Sequence, residues 1–91
     1  MQSSDNSTDL LVDLSQLEGE RLISRSQAKR LISRLEPFTR ITLDFSKVKS
    51  VGQGFVDEIF RVYPLKNARV YIQYIHANEE VEFMIKRGLS R

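Results

Sequence analysis

The sequence predicts a small α/β domain of two layers: a mixed four-stranded sheet covered on one face by three helices, in the order β-β-α-β-α-β-α. Three observations carry this. RITLDF and ARVYIQYI alternate apolar and polar residues with the two-residue period of strands, whereas SQAKRLISRLE and FVDEIFRVY repeat apolar residues at helical spacing. The two patterns also take turns along the chain, which favours parallel strands joined by right-handed crossovers. With 91 residues, 41% of them hydrophobic and 29% charged, the chain has material for one core and is too apolar for a disordered one. Residues 8–91 are expected to form that single domain, behind a flexible polar leader at residues 1–7.

The first strand is expected in DLLVDL, Asp9 to Leu14. Gly19 then supplies a turn between it and a short second strand at Arg21-Leu22-Ile23, so the two should form an antiparallel hairpin. Ser24 or Ser26 offers an N-cap oxygen to the first helix, where Ala28, Leu31, Ile32 and Leu35 make one apolar stripe. Pro37 ends that helix, because the residue before a proline avoids helical backbone. RITLDF places Ile41, Leu43 and Phe45 on one face and reads as the central strand.

Gly52, Gln53 and Gly54 form a tight loop that opens the second helix. There Phe55, Ile59, Val62 and Tyr63 share a face, and Val56 and Phe60 widen the apolar arc to roughly 160°, so most of this helix should be buried. Pro64 and Asn67 punctuate its end. The last strand turns Val70, Ile72 and Tyr74 to one side and Tyr71, Gln73 and Ile75 to the other. Asn78 is a suitable N-cap for the third helix. Its acidic first turn (Glu79, Glu80, Glu82) and basic last turn (Lys86, Arg87, before Gly88) both suit the helix dipole.

Several function classes recede on composition. Without cysteine the chain has no disulfide, thiolate nucleophile or thiolate metal ligand, and a single histidine, His76, does not supply the usual metal cluster. No metal or cofactor is expected. MQSSDNSTDL lacks the basic start and apolar run of a signal peptide, and no stretch reaches the roughly 18 apolar residues of a membrane helix, so the expected setting is the cytoplasm. The net charge of +2 is ordinary, and the cations are scattered from Arg21 to Arg91.

The remaining candidates are local. Gly52-Gln53-Gly54 before a helix could present amides to an anion, but it lacks the lysine of a P-loop and the third glycine of a dinucleotide fingerprint; a positive φ or a close backbone approach accounts for the glycines more simply. Gln53 should stand exposed at the loop apex, able to donate and accept. Asp57 and Glu58 could pair with His76, though solvated charges account for them better, and Asp57 and Arg61 are four apart, the spacing of a helical ion pair. Arg25, Lys29, Arg30 and Arg34 give the first helix a basic face that could meet nucleic acid. Phe83 departs from the stripe formed by Val81, Met84, Ile85 and Gly88, and Phe60 sits at the edge of its own arc. Either aromatic packs in the core or under a loop, or it serves an interface.

LDFSKVKSVGQGFVDEI, residues 43–59, resembles the strand-loop-helix of STAS domains, in which an apolar strand ends in Asp-Leu-Ser and Asp-Ser-Ser-Gly opens a helix. Asp44, Phe45, Ser46, Val48 and Val51 occupy matching positions. With LISRSQAKRL, GQGFVDEIFRV and HANEEVEFMIKR, the run from Leu22 to Leu89 is more closely similar to a bacterial STAS-like family of unassigned function, whose members carry Gly-Gln-Gly-Phe at this turn. The resemblance implies a cytoplasmic regulatory module that binds an anti-sigma factor or an ATPase-fold kinase and is switched by phosphorylation of a serine at the helix start. Here Gly54 stands where that hydroxyl is expected, and neither Ser46 nor Ser50 matches the position.

The expectation from sequence is therefore a non-enzymatic protein-binding module without that switch. Its contact residues are expected to be Ser50, Gly52, Gln53, Gly54, Phe55, Asp57, Phe60 and Arg61. A nucleic-acid-associated regulator of a mobile element, using the basic first helix, is the alternative. A homodimer formed through a free strand edge or the Phe83 surface is a third possibility.

Overall fold

The computed structural model describes residues 9–16, 21–36 and 38–89. The leader at residues 1–7, the Gly19 turn and Pro37 lie outside them. Strand β1 (Asp9–Asp13) ends in a single 3-10 turn, Leu14–Gln16, which Asp13 closes: its Oδ1 accepts from Ser15 N at 3.0 Å and from Ser15 Oγ at 2.7 Å. Leu14 is thereby driven into the core. Next come β2 (Arg21–Leu22) and α1 (Arg25–Leu35), whose N-cap is Ser24.

That cap is reciprocal. Ser24 Oγ accepts from Gln27 N at 3.2 Å, while Gln27 Oε1 accepts from the backbone N–H groups of Ile23 and Ser24, both at 2.9 Å. Gln27 Nε2 also donates to the Arg21 carbonyl at 3.0 Å, so one side chain ties the end of β2 to the start of α1. Ala28, Leu31 and Leu35 are buried, as their spacing predicts, and Glu36 adopts the extended backbone expected before a proline.

The sheet differs from expectation in its pairing. Strand β3 (Arg40–Asp44) is central, flanked by β1 and by β5 (Tyr71–Ile75), and both ladders are parallel. Strand β2 does not return along β1 as an antiparallel hairpin. It bridges β4 (Ser50–Val51) in a second parallel ladder of two residues, Arg21 opposite Ser50 and Leu22 opposite Val51. The expected mixed four-stranded sheet is thus a three-stranded sheet and a separate bridge. The glycine at position 19 is a local cue, whereas pairing is decided by which face gets buried. Lying parallel to β3, β1 aligns Leu10 with Ile41 and Ile72, and Val12 with Leu43 and Tyr74, on the helix-covered side. Arg40, Thr42 and Asp44 alternate onto the other face, where Leu11, Tyr71, Gln73 and Ile75 are exposed.

The second helix, α2, begins at Gln53 and continues as three segments: Gln53–Val56 in α geometry, Asp57–Val62 in π geometry, and Tyr63–Lys66 in α geometry again. It therefore runs past Pro64 instead of stopping there. Proline has no N–H to give, and the turns before it are wound with i→i+5 spacing, as in the bond from Tyr63 N to the Glu58 carbonyl. Asn67 closes the helix, donating through its backbone N to Pro64 O and through Nδ2 to Tyr63 O.

Asn78 caps the third helix, α3 (Glu79–Leu89), by accepting from Val81 N at 2.7 Å. Its Nδ2 donates to the Val48 and Lys49 carbonyls, which pins the loop between β3 and β4. Val81, Ile85 and Gly88 face the core. Phe60 is buried there too and meets Tyr74 edge to face with ring centroids 5.8 Å apart, whereas Phe83 stands 62% exposed.

Candidate functional site

Strand β4 delivers the chain to Gly52 directly beside the end of β2. Gly52 N donates to Leu22 O at 2.9 Å, and Phe55 N donates to Ile23 O at 3.1 Å. The fit leaves no room for a side chain: a Cβ on Gly52 would overlap the Ile23 carbonyl oxygen and come within 2.7 Å of its Cα. Gly52 has a φ of −95°, so close approach and not a left-handed turn demands the glycine. Gly54 is tight against the first residue of α1, since a Cβ there would lie 3.2 Å from Arg25 N. The starts of α1 and α2 are thus held side by side, with Gln53 exposed at the apex between them. Its side-chain amide makes no hydrogen bond among the described residues.

This contact brings together charges far apart in sequence. Arg25 Nη1 donates to Asp57 Oδ2 at 2.8 Å and to Glu58 Oε1 at 3.0 Å. From the next turn of α2, Arg61 grips the same Asp57, with Nε on Oδ1 and Nη2 on Oδ2 at 3.1 Å. The pair expected between Asp57 and Arg61 is present, and Arg25 makes it a network. Hydrogen bonds from Arg61 and then Arg25 hold the Asp57 carboxyl down at about 2, and both guanidinium groups are raised above their ordinary value in return. Glu58 is not a solvated charge, because its side chain is only 9% exposed.

These residues border an open cavity of about 600 Å³ lined by Arg25, Gln53, Gly54, Asp57, Arg61 and Gly88. Gly88 belongs to α3, which packs so closely on α2 that a Cβ there would lie 3.0 Å from a Val56 methyl. Sequence reasoning placed Arg25 on the basic face of α1 and left Gly88 in a core stripe. No local pattern reveals that both meet α2. Lys29, Arg30 and Arg34 lie exposed on α1 and do not line the cavity. Of the expected contact residues, Gln53, Gly54, Asp57 and Arg61 gather here. Ser50 is half-buried in its bridge to Arg21, and Gly52 is wedged against Ile23. Phe55 and Phe60, 0% and 8% exposed, belong to the core beneath the site and offer no contact surface.

His76 is elsewhere. It follows β5 with a φ of 61°, and its Nδ1 lies 3.1 Å from Asp44 Oδ1, so the pairing considered with Asp57 or Glu58 does not form. Asp44 is held below the usual carboxylate range by the Ser46 backbone N–H first and by His76 second. Among the described residues no group of three or more His, Cys, Asp or Glu side chains is placed to hold a metal ion, and no helix is long and apolar enough to cross a membrane.

A family described as a STAS-like domain of unknown function matches residues 27–82, a span that takes in α1 from Gln27 onward, the Gly52–Phe55 turn, α2, β5 and the start of α3. The chain belongs to this STAS-like family. No curated protein and no solved structure matches it.

Proposed function

We propose that this STAS-like chain is a non-enzymatic regulatory module that binds another protein in the bacterial cytoplasm, through the Gln53 apex and the Arg25-Asp57-Arg61 rim. One observation carries the reading. Gln53 presents to solvent an amide unbonded among the described residues, from a loop whose backbone is clamped by Gly52 against Ile23 and by Gly54 against Arg25, so the contact group is held on rigid support. An exposed polar group of that kind adds nothing to folding and suits a partner's hydrogen bonds.

By the family analogy, the partner is an ATPase-fold kinase or an anti-sigma-type protein, bound by stoichiometric occupancy. A phosphorylation cycle at position 54 is not part of the mechanism, because glycine has no hydroxyl. The test is affinity capture of the tagged protein from its native, nuclease-treated extract, with Gln53→Arg in parallel. A stoichiometric protein recovered with the wild type and lost with Gln53→Arg is the expected result. Equal recovery with both, or nuclease-sensitive material alone, would overturn the reading.

A further inference from the structure

We infer that the cavity between α1, α2 and α3 seats a single carboxylate, an aspartate or glutamate side chain of the partner protein; this rests on the protein-binding reading above and specifies its chemistry. The argument begins with unspent donors. A guanidinium carries five N–H groups. Arg25 reaches both Asp57 and Glu58 through Nη1 alone, and Arg61 uses Nε and Nη2 on Asp57. Arg25 Nε and Nη2, Arg61 Nη1 and the Gln53 amide therefore remain without a protein acceptor among the described residues, on side chains that line one cavity.

Both arginine side chains are 48% exposed, yet each is anchored to Asp57, which fixes two forks before any ligand arrives. Immobilising a long side chain is one of the costs of binding, and here folding has already covered it. The charge balance then decides between anions. Arg25 and Arg61 are offset by Asp57 and Glu58, and the carbonyl end of α3 at Gly88 adds partial negative charge. A phosphate dianion would leave two excess negative charges, whereas a carboxylate leaves one and matches the planar fork of a guanidinium. The volume, about 600 Å³, exceeds a carboxylate and admits the partner's side chain with neighbouring backbone.

The full chain, labelled with nitrogen-15, is titrated at constant ionic strength with N-acetyl-glutamate amide, with its glutamine analogue and with inorganic phosphate. The expected result is saturable shifts at Gln53, Gly54 and the side-chain Nε–H of Arg25 and Arg61 with the glutamate probe, at least ten-fold weaker with the glutamine analogue. The response should fall at least ten-fold in Arg61→Gln. Gln53→Ala, which disturbs no packing, should also weaken it and guards against misfolding of the arginine variant. Equal response to the glutamate and glutamine probes, or tighter binding of phosphate at the same residues, overturns the carboxylate seat.

Capture with Arg61→Gln separates the two levels. If the partner lost with Gln53→Arg is still recovered in full with Arg61→Gln, the seat is wrong and the protein-binding reading stands. If the glutamate probe binds but wild-type capture yields no stoichiometric protein, that reading fails and takes with it the assignment of the carboxylate to a partner.

Discussion

Arg25 Nη1 lies 3.0 Å from Glu58 Oε1, joining the first turn of α1 to a carboxylate that is nine-tenths buried in α2. Removing one member of such a pair leaves the other desolvated and unpaired, which costs more than the pair itself contributes. Asp57 would keep Arg61, so the loss falls on Glu58. Arg25→Met is expected to destabilise the fold by about 1–3 kcal/mol. Adding Glu58→Leu should recover part of it, giving a coupling of at least about 1 kcal/mol in a double-mutant cycle. Denaturant unfolding measures both, and additive losses would mean that Glu58 does not depend on Arg25.

The two glycines of the turn should behave differently. Gly52→Ala forces a methyl into the Ile23 backbone, which has no rotamer to yield, and is expected to cost about 3 kcal/mol. At Gly54 the nearest atom is 3.2 Å away, and alanine gains roughly 0.5–1 kcal/mol of helical backbone entropy, so Gly54→Ala should change stability by under about 1 kcal/mol. Thermal melts of the two variants decide this; similar losses would mean that the close approach to Ile23 is not what position 52 requires.

The elements that were legible in the sequence are those fixed by local pattern. Ala28, Leu31 and Leu35 at helical spacing, the alternation of Ile41 and Leu43, and the Asn78 cap each follow from interactions within a few residues. What was not legible depends on long-range choices. The parallel partner of β1 is β3, across the α1 crossover, and a glycine at position 19 carries no information about that. Likewise Arg25 and Glu58 are separated by 33 positions, so nothing short of the packed helices distinguishes that arginine from its exposed neighbours Lys29 and Arg30. The loop apex was legible because Gly-Gln-Gly before a helix leaves its middle side chain outside.

Phe60 and Gln53, both singled out by sequence as contact residues, separate into core and surface. Phe60 is packed edge to face against Tyr74, and Phe60→Ala should cost about 3–5 kcal/mol through lost burial and a cavity. Gln53→Ala should stay within about 0.5 kcal/mol of the wild type. Unfolding curves of the single variants test this, and a neutral Phe60→Ala would remove that ring from the core.

Acid stability should report the network around Asp57. Its carboxyl lies at about 2 in the folded chain against 3.8 for the free group, so the folded state binds this proton less readily. The associated stabilisation is fully present above about pH 4 and is lost as pH falls from there toward 2. The arginines are half-exposed, and solvent screening reduces the effect to on the order of 1 kcal/mol. Asp13 and Asp44 are also held below their usual range, by Ser15 and Ser46, and so contribute a slope of the same sign. The difference between wild type and Asp57→Asn isolates the network: the variant should start less stable at pH 6 and converge on the wild type by about pH 2. Parallel curves across that window would show that Asp57 titrates alike in the folded and unfolded chain, and the shared grip of Arg25 and Arg61 on it would have no energetic consequence.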